Sequence, residues 1–151
     1  MPKLKFSSLI PANIERVYEH VTVFPVSGTA DQKALEDKYG SLLKRNDNSF
    51  IFQENTGARV KWQCAFQPPR LRTMRALDSS WSDRTDEFKP APGGTVWTIT
   101  WEPKGRGLAA YTQWLAFQFK HKQQVYGMIV LPVLQHFQRD ERRRTKDEQS
   151  K

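Results

Sequence analysis

The sequence is poor in cysteine and has no long apolar run. Its 151 residues include one cysteine, Cys64, which excludes an intrachain disulfide framework and any cysteine-rich zinc or iron–sulfur site. No stretch approaches the run of about 18 apolar residues that a membrane-spanning helix needs. Residues 1–6 lack the apolar segment of a secretory signal. These absences predict a protein of a reducing, cytoplasmic compartment.

Charge is unevenly distributed along the chain. The 24 basic and 16 acidic side chains give a formal net charge of +8, and residues 111–151 carry 8 of the bases and 4 of the acids. Residues 139–151 mix both signs, and Asp140 and Arg144 have the i,i+4 spacing that pairs charges on a helix. A nucleic-acid-binding chain more often carries an uninterrupted basic stripe. We therefore predict a solvated helix end and no nucleic-acid partner, with a weak contact to nucleic acid or anionic lipid as the alternative.

The first forty residues predict one strand and two short helices. Residues 3–10 alternate weakly between polar and apolar side chains, as a strand does. Asn13 follows a break in this pattern and can cap a helix, because apolar residues then recur at helical spacing. Residues 31–39 predict the second helix, which ends before Gly40.

The remainder of the chain changes from a strand pattern to a helix pattern. Residues 41–103 alternate with a period of two and are interrupted by short turns rich in Asn, Asp, Gly and Pro, which predicts about six strands. Connections this short require antiparallel pairing. Residues 107–140 carry apolar side chains at spacings of three and four, which predicts a long helix. We expect this helix to break near Pro132, because proline lacks a backbone donor.

Three segments carry a resemblance to a known family. They are FSSLIPANIERVY at residues 6–18, WQCAFQPPRL at 62–71 and FKPAPGGTVWT at 88–98. The chain resembles the START-like, or SRPBCC, superfamily, which includes Bet v 1-like proteins and polyketide cyclase/dehydrase relatives. The resemblance covers nearly the whole chain. It implies an α+β helix-grip fold, in which a curved antiparallel sheet of about seven strands wraps around a long C-terminal helix and two short helices follow the first strand. On this basis residues 1–138 form the domain and residues 139–151 form a charged helix end or tail.

The resemblance also implies an apolar cavity between the sheet and the C-terminal helix. Relatives bind lipids, sterols, polyketides or plant metabolites there. In this chain, aromatic residues share one face of two predicted strands, and an apolar helix stripe would face them. A filled core is the competing explanation, because aromatics dominate cores. Taken with the resemblance, the pattern predicts a cavity lined by Trp62, Cys64, Phe66, Met74, Trp97, Ile99, Trp101, Tyr111, Leu115, Phe119 and Tyr126.

Arg75 lies in a strand whose register is ambiguous. Its parity groups it with two leucines, whereas Arg72 and Met74 share the opposite face. Either Arg75 faces the cavity as the partner of an anionic or carbonyl group, or Met74 does and Arg75 faces solvent, since a one-residue shift exchanges the two faces. If the chain is an enzyme of the cyclase, aromatase or dehydratase kind, the candidates for polarising carbonyls or moving protons are Arg75, Tyr111 and Tyr126.

The other polar residues form no recognisable site. The three histidines are too dispersed to predict a metal centre, and we predict neither a metal nor another cofactor. Cys64 is interpreted as a small buried hydrophobe and not as a nucleophile. The carboxylates of Asp83, Asp86 and Glu87 occupy the most polar strand and are expected to be exposed.

Three function classes follow. The favoured one is the binding of a hydrophobic or aromatic small molecule, such as a lipid or polyketide, in the cavity between sheet and helix. It is favoured because no strongly activated acid–base pair is visible. The alternatives are a polyketide cyclase/dehydrase-like enzyme that acts in the same cavity, and a protein-interaction module. The identity of the ligand and the oligomeric state stay open.

Overall fold

The computed structural model describes residues 3–22, 40–45, 49–54, 61–77, 83–102, 107–109, 111–112, 114–116, 123 and 126–150. These ranges include seven strands and two α-helices. The strands are β1 (Leu4–Ile10), β2 (Gly40–Arg45), β3 (Ser49–Glu54), β4 (Lys61–Gln67), β5 (Leu71–Ala76), β6 (Asp83–Ala91) and β7 (Gly94–Glu102). Helix α1 spans Ile14–Val21, and helix α2 spans Leu131–Gln149. The second predicted short helix, at residues 31–39, lies outside the described residues.

The strands form one antiparallel sheet in the order β1-β7-β6-β5-β4-β3-β2. Strands β2 to β7 pair with their sequence neighbours, as short connections dictate. Strand β1 pairs with β7 instead, with Phe6 opposite Ile99 and Ser8 opposite Trp97. The first and last strands in chain order, β1 and β7, are therefore neighbours in the sheet. The sheet curves against the C-terminal helix. The helix-grip fold predicted from the sequence is confirmed.

Helix α1 begins at the predicted cap. The side-chain oxygen of Asn13 accepts a hydrogen bond from the backbone N–H of Arg16 at 3.0 Å, which satisfies a donor that the first helical turn leaves open. Val17 and Tyr18 are buried, and the ring of Tyr18 meets the ring of Phe88 edge-on at 5.3 Å between centroids. The helix is thereby packed against the side of the sheet that carries Phe88.

The turn between β6 and β7 has a stringent requirement for glycine. The φ angle of Gly94 is 148°, and a Cβ atom there would lie 2.0 Å from the carbonyl oxygen of Ile10. Any side chain at this position would therefore collide with the backbone at the end of β1. Next to it, the hydroxyl of Thr95 donates to the carbonyl of Ala12 at 2.8 Å. These contacts fix the β6–β7 hairpin to the start of α1.

The C-terminal helical region changes from π-helix to α-helix beside Pro132, where the break is predicted, and stays helical through this point. Residues Tyr126–Val130 form a π-helical turn, and α2 begins directly after it at Leu131 with Pro132 in its first turn. A proline is tolerated there because the first helical N–H groups have no intrahelical acceptor. Phe137 is buried against the core, whereas residues 141–150 are exposed throughout. No helix in the described ranges is long and apolar enough to cross a membrane.

Candidate functional site

Aromatic and other apolar side chains cover much of one face of the sheet. In β7 burial alternates residue by residue, so that Trp97, Ile99 and Trp101 point to the same side. The inward residues of β4 continue this surface, which we call the inner face; they are Trp62, Cys64 and Phe66. The exposed fractions of Trp62 and Trp97 are 3% and 1%, so both indole rings are buried, as their positions in the alternating strands predict. Trp81, whose place at a turn between polar residues predicts a more exposed side chain, lies outside the described residues.

The register of β5 resolves the ambiguity between Arg75 and Met74. Arg72 and Ala76 are buried, and Met74 between them packs against the core, whereas Arg75 is exposed. The alternative in which Arg75 faces the cavity is therefore wrong. Because Met74 pairs with Cys64 in β4, it must share the inner face with that residue.

Among the described residues of 107–116, a different side chain from the expected one faces the core. Tyr111 and Tyr126 remain exposed over 44% and 43% of their surface, and Leu115 is half-buried, whereas Trp114 is 5% exposed and joins the core. The expectation that both tyrosines line the inner space is not met by the described structure. Trp114 is three residues from Tyr111 on a helical segment, so the buried side of this segment lies beside the predicted stripe. Phe119 lies outside the described residues.

A buried ionic cluster occupies the middle of the inner face, contrary to the expected exposure of Asp86. Asp86 has no exposed surface, and Arg72 and Arg84 are 7% and 9% exposed. The expectation was wrong because it rested on the polarity of β6 alone, whereas the partners that allow this carboxylate to be buried come from both neighbouring strands. The prediction for Asp83 and Glu87 is also too simple, since both are half-buried.

The Asp86 carboxylate accepts hydrogen bonds on both oxygens. Oδ2 accepts from Arg72 Nε at 3.1 Å, Arg72 Nη2 at 3.0 Å and Arg84 Nε at 3.1 Å. Oδ1 accepts from Arg84 Nη2 at 2.8 Å and from the indole Nε1 of Trp97 at 2.9 Å. Arg72 Nη1 donates to the carbonyl of Val21 at 3.1 Å, which links the cluster to α1. We refer to Arg72, Arg84 and Asp86 as the ionic cluster.

The two guanidinium groups determine the charge state of the cluster. Burial raises the pKa of Asp86. The charges of Arg72 and Arg84 and the hydrogen bonds from Arg84 and Trp97 lower it by a larger amount, so the pKa lies below its usual value. Burial lowers the pKa of Arg84, and Asp86 opposes this. With both arginines protonated and Asp86 ionised, the cluster carries a formal charge of +1.

Arg84 lies at the centre of the inner face. It pairs with Met74 on one side and with Trp101 on the other. Its guanidinium carbon lies 5.2 Å from the centroid of the Trp101 ring, within the range of a cation–π interaction. The Arg84 side chain keeps 10% of its surface exposed, and Met74 beside it is also only partly buried. Met74 and Arg84 therefore keep some exposed surface in the middle of the inner face.

Cys64 on the inner face and Tyr18 of α1 are two protonatable groups with high pKa values. Burial raises the pKa of the Cys64 thiol to about 12. Burial likewise raises the pKa of the Tyr18 hydroxyl to about 12, and this hydroxyl donates to the carbonyl of Leu71 at 3.3 Å. Both groups are therefore neutral at physiological pH, as the interpretation of Cys64 as a buried hydrophobe requires. Within the described ranges, no three His, Cys, Asp or Glu side chains lie together as a set of metal ligands.

A second, polar depression lies along α2. It has a volume of about 320 Å³ and is lined by Pro132, Gln135, His136, Arg139, Asp140 and Arg143. At its edge, Asp140 forms an ion pair with Arg16 of α1 and another, at 3.8 Å, with Arg144. The imidazole rings of His20 and His136 stack with 4.2 Å between centroids. These contacts join α1 to α2 and give the depression a structural role.

Solved structures with the same architecture include a Polyketide_cyc-like protein and an ARO/CYC protein of a biosynthetic pathway. CalU16 from Micromonospora echinospora is 13% identical, with a TM-score of 0.56 over 97% of this chain and 82% of that one. A Polyketide_cyc-like protein from Corynebacterium glutamicum is 16% identical, with a TM-score of 0.52 over 94% of each chain. The di-domain ARO/CYC protein BexL of the BE-7585A biosynthetic pathway is 13% identical, with a TM-score of 0.58 over 90% of this chain and 49% of that one.

No family model matches this sequence, and no curated protein matches it. At the identities given above, structural likeness establishes the fold. The chain has the helix-grip fold that the sequence resemblance implied.

Proposed function

We propose that this protein binds an apolar or aromatic small molecule between the inner face of the sheet and the C-terminal helical region. The observation that carries the proposal is the residual exposure of Met74 and Arg84, which pair with each other in the middle of an otherwise buried face. A ligand that covers them would contact the aromatic wall formed by β7 and β4. Similarity of fold to polyketide cyclase-like and ARO/CYC proteins supports a small-molecule ligand of this kind.

Binding is favoured over catalysis by the position of the candidate catalytic groups. Arg75 is on the outer face of the sheet, and Tyr111 and Tyr126 are exposed. The inward Tyr18 and Cys64 have pKa values of about 12, far from the value near neutrality that suits a general acid or base. The cyclase-like alternative would have to rely on positioning and on polarisation of a carbonyl by Arg84.

Titration calorimetry with fatty acids, flavonoids and aromatic polyketides tests the proposal. Covering roughly 300 Å² of apolar surface contributes about 7 kcal/mol before the cost of association, which corresponds to micromolar or weaker affinity for a simple hydrophobe. We expect at least one compound to saturate the protein. If none does, the binding proposal fails, and a protein-interaction role becomes the better explanation.

Two neighbouring residues of β5 give a matched pair of variants. Met74→Trp fills the space above the inner face and should abolish binding, whereas Arg75→Trp places the same side chain on the outer face and should leave the affinity unchanged. Circular dichroism verifies that each variant is folded. If Met74→Trp does not fold, Leu115→Trp approaches the same space from the helix side. Equal loss of affinity in the Met74 and Arg75 variants would locate the ligand elsewhere.

A further inference from the structure

The ionic cluster holds two positively charged groups and only one negatively charged group. Two buried guanidiniums share the single carboxylate of Asp86, and these two arginines are the charged groups that lower its pKa. A buried charge is costly unless it is paired, because the protein interior solvates it poorly. The excess is confined to the inner face, where Arg84 and Met74 keep some exposed surface.

The hydrogen bonds of the cluster show which donor atom could still bind an acceptor. Asp86 already accepts five hydrogen bonds, more than the roughly four lone-pair sites of a carboxylate, so that it is saturated. All three nitrogens of Arg72 donate to Asp86 or to Val21. Arg84 uses Nε and Nη2 on Asp86. None of the acceptors in the described part of the chain takes a hydrogen bond from Arg84 Nη1.

The surroundings of this nitrogen are apolar. Trp101 lies against the guanidinium, Met74 stands opposite in β5, and Phe6 follows on the far side of β7 as another half-buried residue of the inner face. The Arg84 side chain is nine-tenths buried, so an acceptor that reaches Nη1 must enter the space between sheet and helix. An apolar body with a single charged oxygen group matches both features of this environment.

We propose that Arg84 selects the ligand class, and that the protein binds apolar or aromatic monocarboxylic acids with the carboxylate on Arg84 Nη1. The inference rests on the proposed small-molecule binding and narrows it to a charge state. A monoanion neutralises the formal charge of +1, whereas a dianion such as a phosphate monoester would leave an uncompensated negative charge in the interior. Asp86 holds the guanidinium through Nε and Nη2, which presents Nη1 without a change of rotamer.

Matched acids and alcohols test the charge preference on the wild-type protein. The probes are dodecanoate against dodecanol, and 2-naphthoate against 2-naphthylmethanol, titrated at pH 7.5 by calorimetry. We expect the acid of at least one pair to bind about tenfold or more tightly than its alcohol, the range of a charge-assisted hydrogen bond. If acid and alcohol bind equally, this inference fails while the proposed function stands. If neither member of either pair binds while another compound of the broader panel does, the inference also fails; binding of no compound at all ends both proposals.

Substitution of Arg84 tests whether its Nη1 causes the preference for the acid over the alcohol. Arg84→Met should remove the preference for the acid and keep binding of the alcohol, whereas Arg75→Met, which removes the same charge from the outer face, should keep the preference. Arg84→Lys is the second variant, because it retains the charge and loses Nη1; we expect a smaller preference than in the wild type. A preference that survives in Arg84→Met, or that is lost equally in Arg75→Met, would show that the general positive charge of the protein attracts acids and would overturn the assignment.

Discussion

Arg72 and Asp86 stand directly opposite each other in β5 and β6, and both Nε and Nη2 of Arg72 donate to the same oxygen of the carboxylate. The pair is almost fully enclosed, with side-chain exposures of 8% and 0%. Arg84 reaches the same carboxylate from two positions along β6. A charged network therefore occupies buried inward positions of β5 and β6, where apolar side chains are usual.

Replacement of Asp86 should strongly destabilise the protein. In Asp86→Asn the two guanidiniums remain buried without a counter-charge, and breaking a buried ion pair in this way costs about 3–5 kcal/mol. Chemical denaturation measures the loss. The control is Glu87→Gln, which changes the same charge one residue away on the outer side of β6 and should stay within about 0.5 kcal/mol of the wild type. Equal effects of the two substitutions would contradict the central role of Asp86.

Stability should also depend on acid pH through Asp86. The folded-state pKa of this residue lies below its ordinary value of 3.8, so its contribution is complete above pH 3.8 and is lost as the pH falls through the folded pKa. The difference in unfolding free energy between wild type and Asp86→Asn should therefore be constant between about pH 5 and 7 and shrink only in strong acid. Denaturation curves at a series of pH values test this, and a difference that vanishes already near pH 5 would contradict it.

Trp97 should contribute through both its ring and its indole nitrogen. The ring stacks on Phe88 with 6.2 Å between centroids, and Nε1 donates to Asp86. Trp97→Phe keeps an aromatic ring and loses the hydrogen bond, at an expected cost of about 1–3 kcal/mol. Trp97→Ala also creates a cavity and should cost about 3–5 kcal/mol or more. A loss near zero in the alanine variant would mean that the site beneath Trp97 is not packed.

The single thiol gives a direct measure of burial. Because the pKa of Cys64 is about 12 in the folded protein and 9.0 ordinarily, the native protein should react with a thiol reagent at pH 8 roughly a thousandfold more slowly than the unfolded chain. Stability should fall as the pH rises from 9 towards 12, since only the unfolded chain ionises there. Cys64→Ala should lack the part of this dependence that begins near pH 9 and keep the part due to Tyr18, whose pKa is raised from 10.0 to about 12. Rapid labelling of the native protein would show that the inner face opens readily.

The end of α2 divides into a packed part and a solvated part. Deletion of residues 141–151 removes side chains that are exposed where they are described, and should leave the melting temperature within about a few degrees. Deletion of residues 139–151 also removes the ion pair between Asp140 and Arg16, which is about one-third exposed, and should lower the melting temperature slightly more. Thermal melts of the two truncations test the difference. A steeply salt-dependent gel shift with DNA, lost in either truncation, would instead favour a nucleic-acid role.

The strand pattern made the fold and much of the inner face predictable. Trp97, Ile99 and Trp101 share one side because strand side chains alternate, and this holds whatever the partner strands are. The cap at Asn13 and the irregularity of the helix beside Pro132 were predictable for a similar reason, since each follows from the chemistry of one residue and its immediate neighbours. The functional interpretation of these residues as a ligand cavity stays a prediction.

The sequence by itself determined the elements, the alternation of the strands and the antiparallel pairing, because these depend on interactions over a few residues or on short connections. Tertiary structure alone decided that Asp86 is buried, that Arg75 faces outwards and that Trp114 replaces Tyr111 in the core. The ionic cluster required Arg72, 14 residues away, to arrive opposite Asp86. Burial of a charge depends on its partners in space, and no local pattern of polarity contains that information.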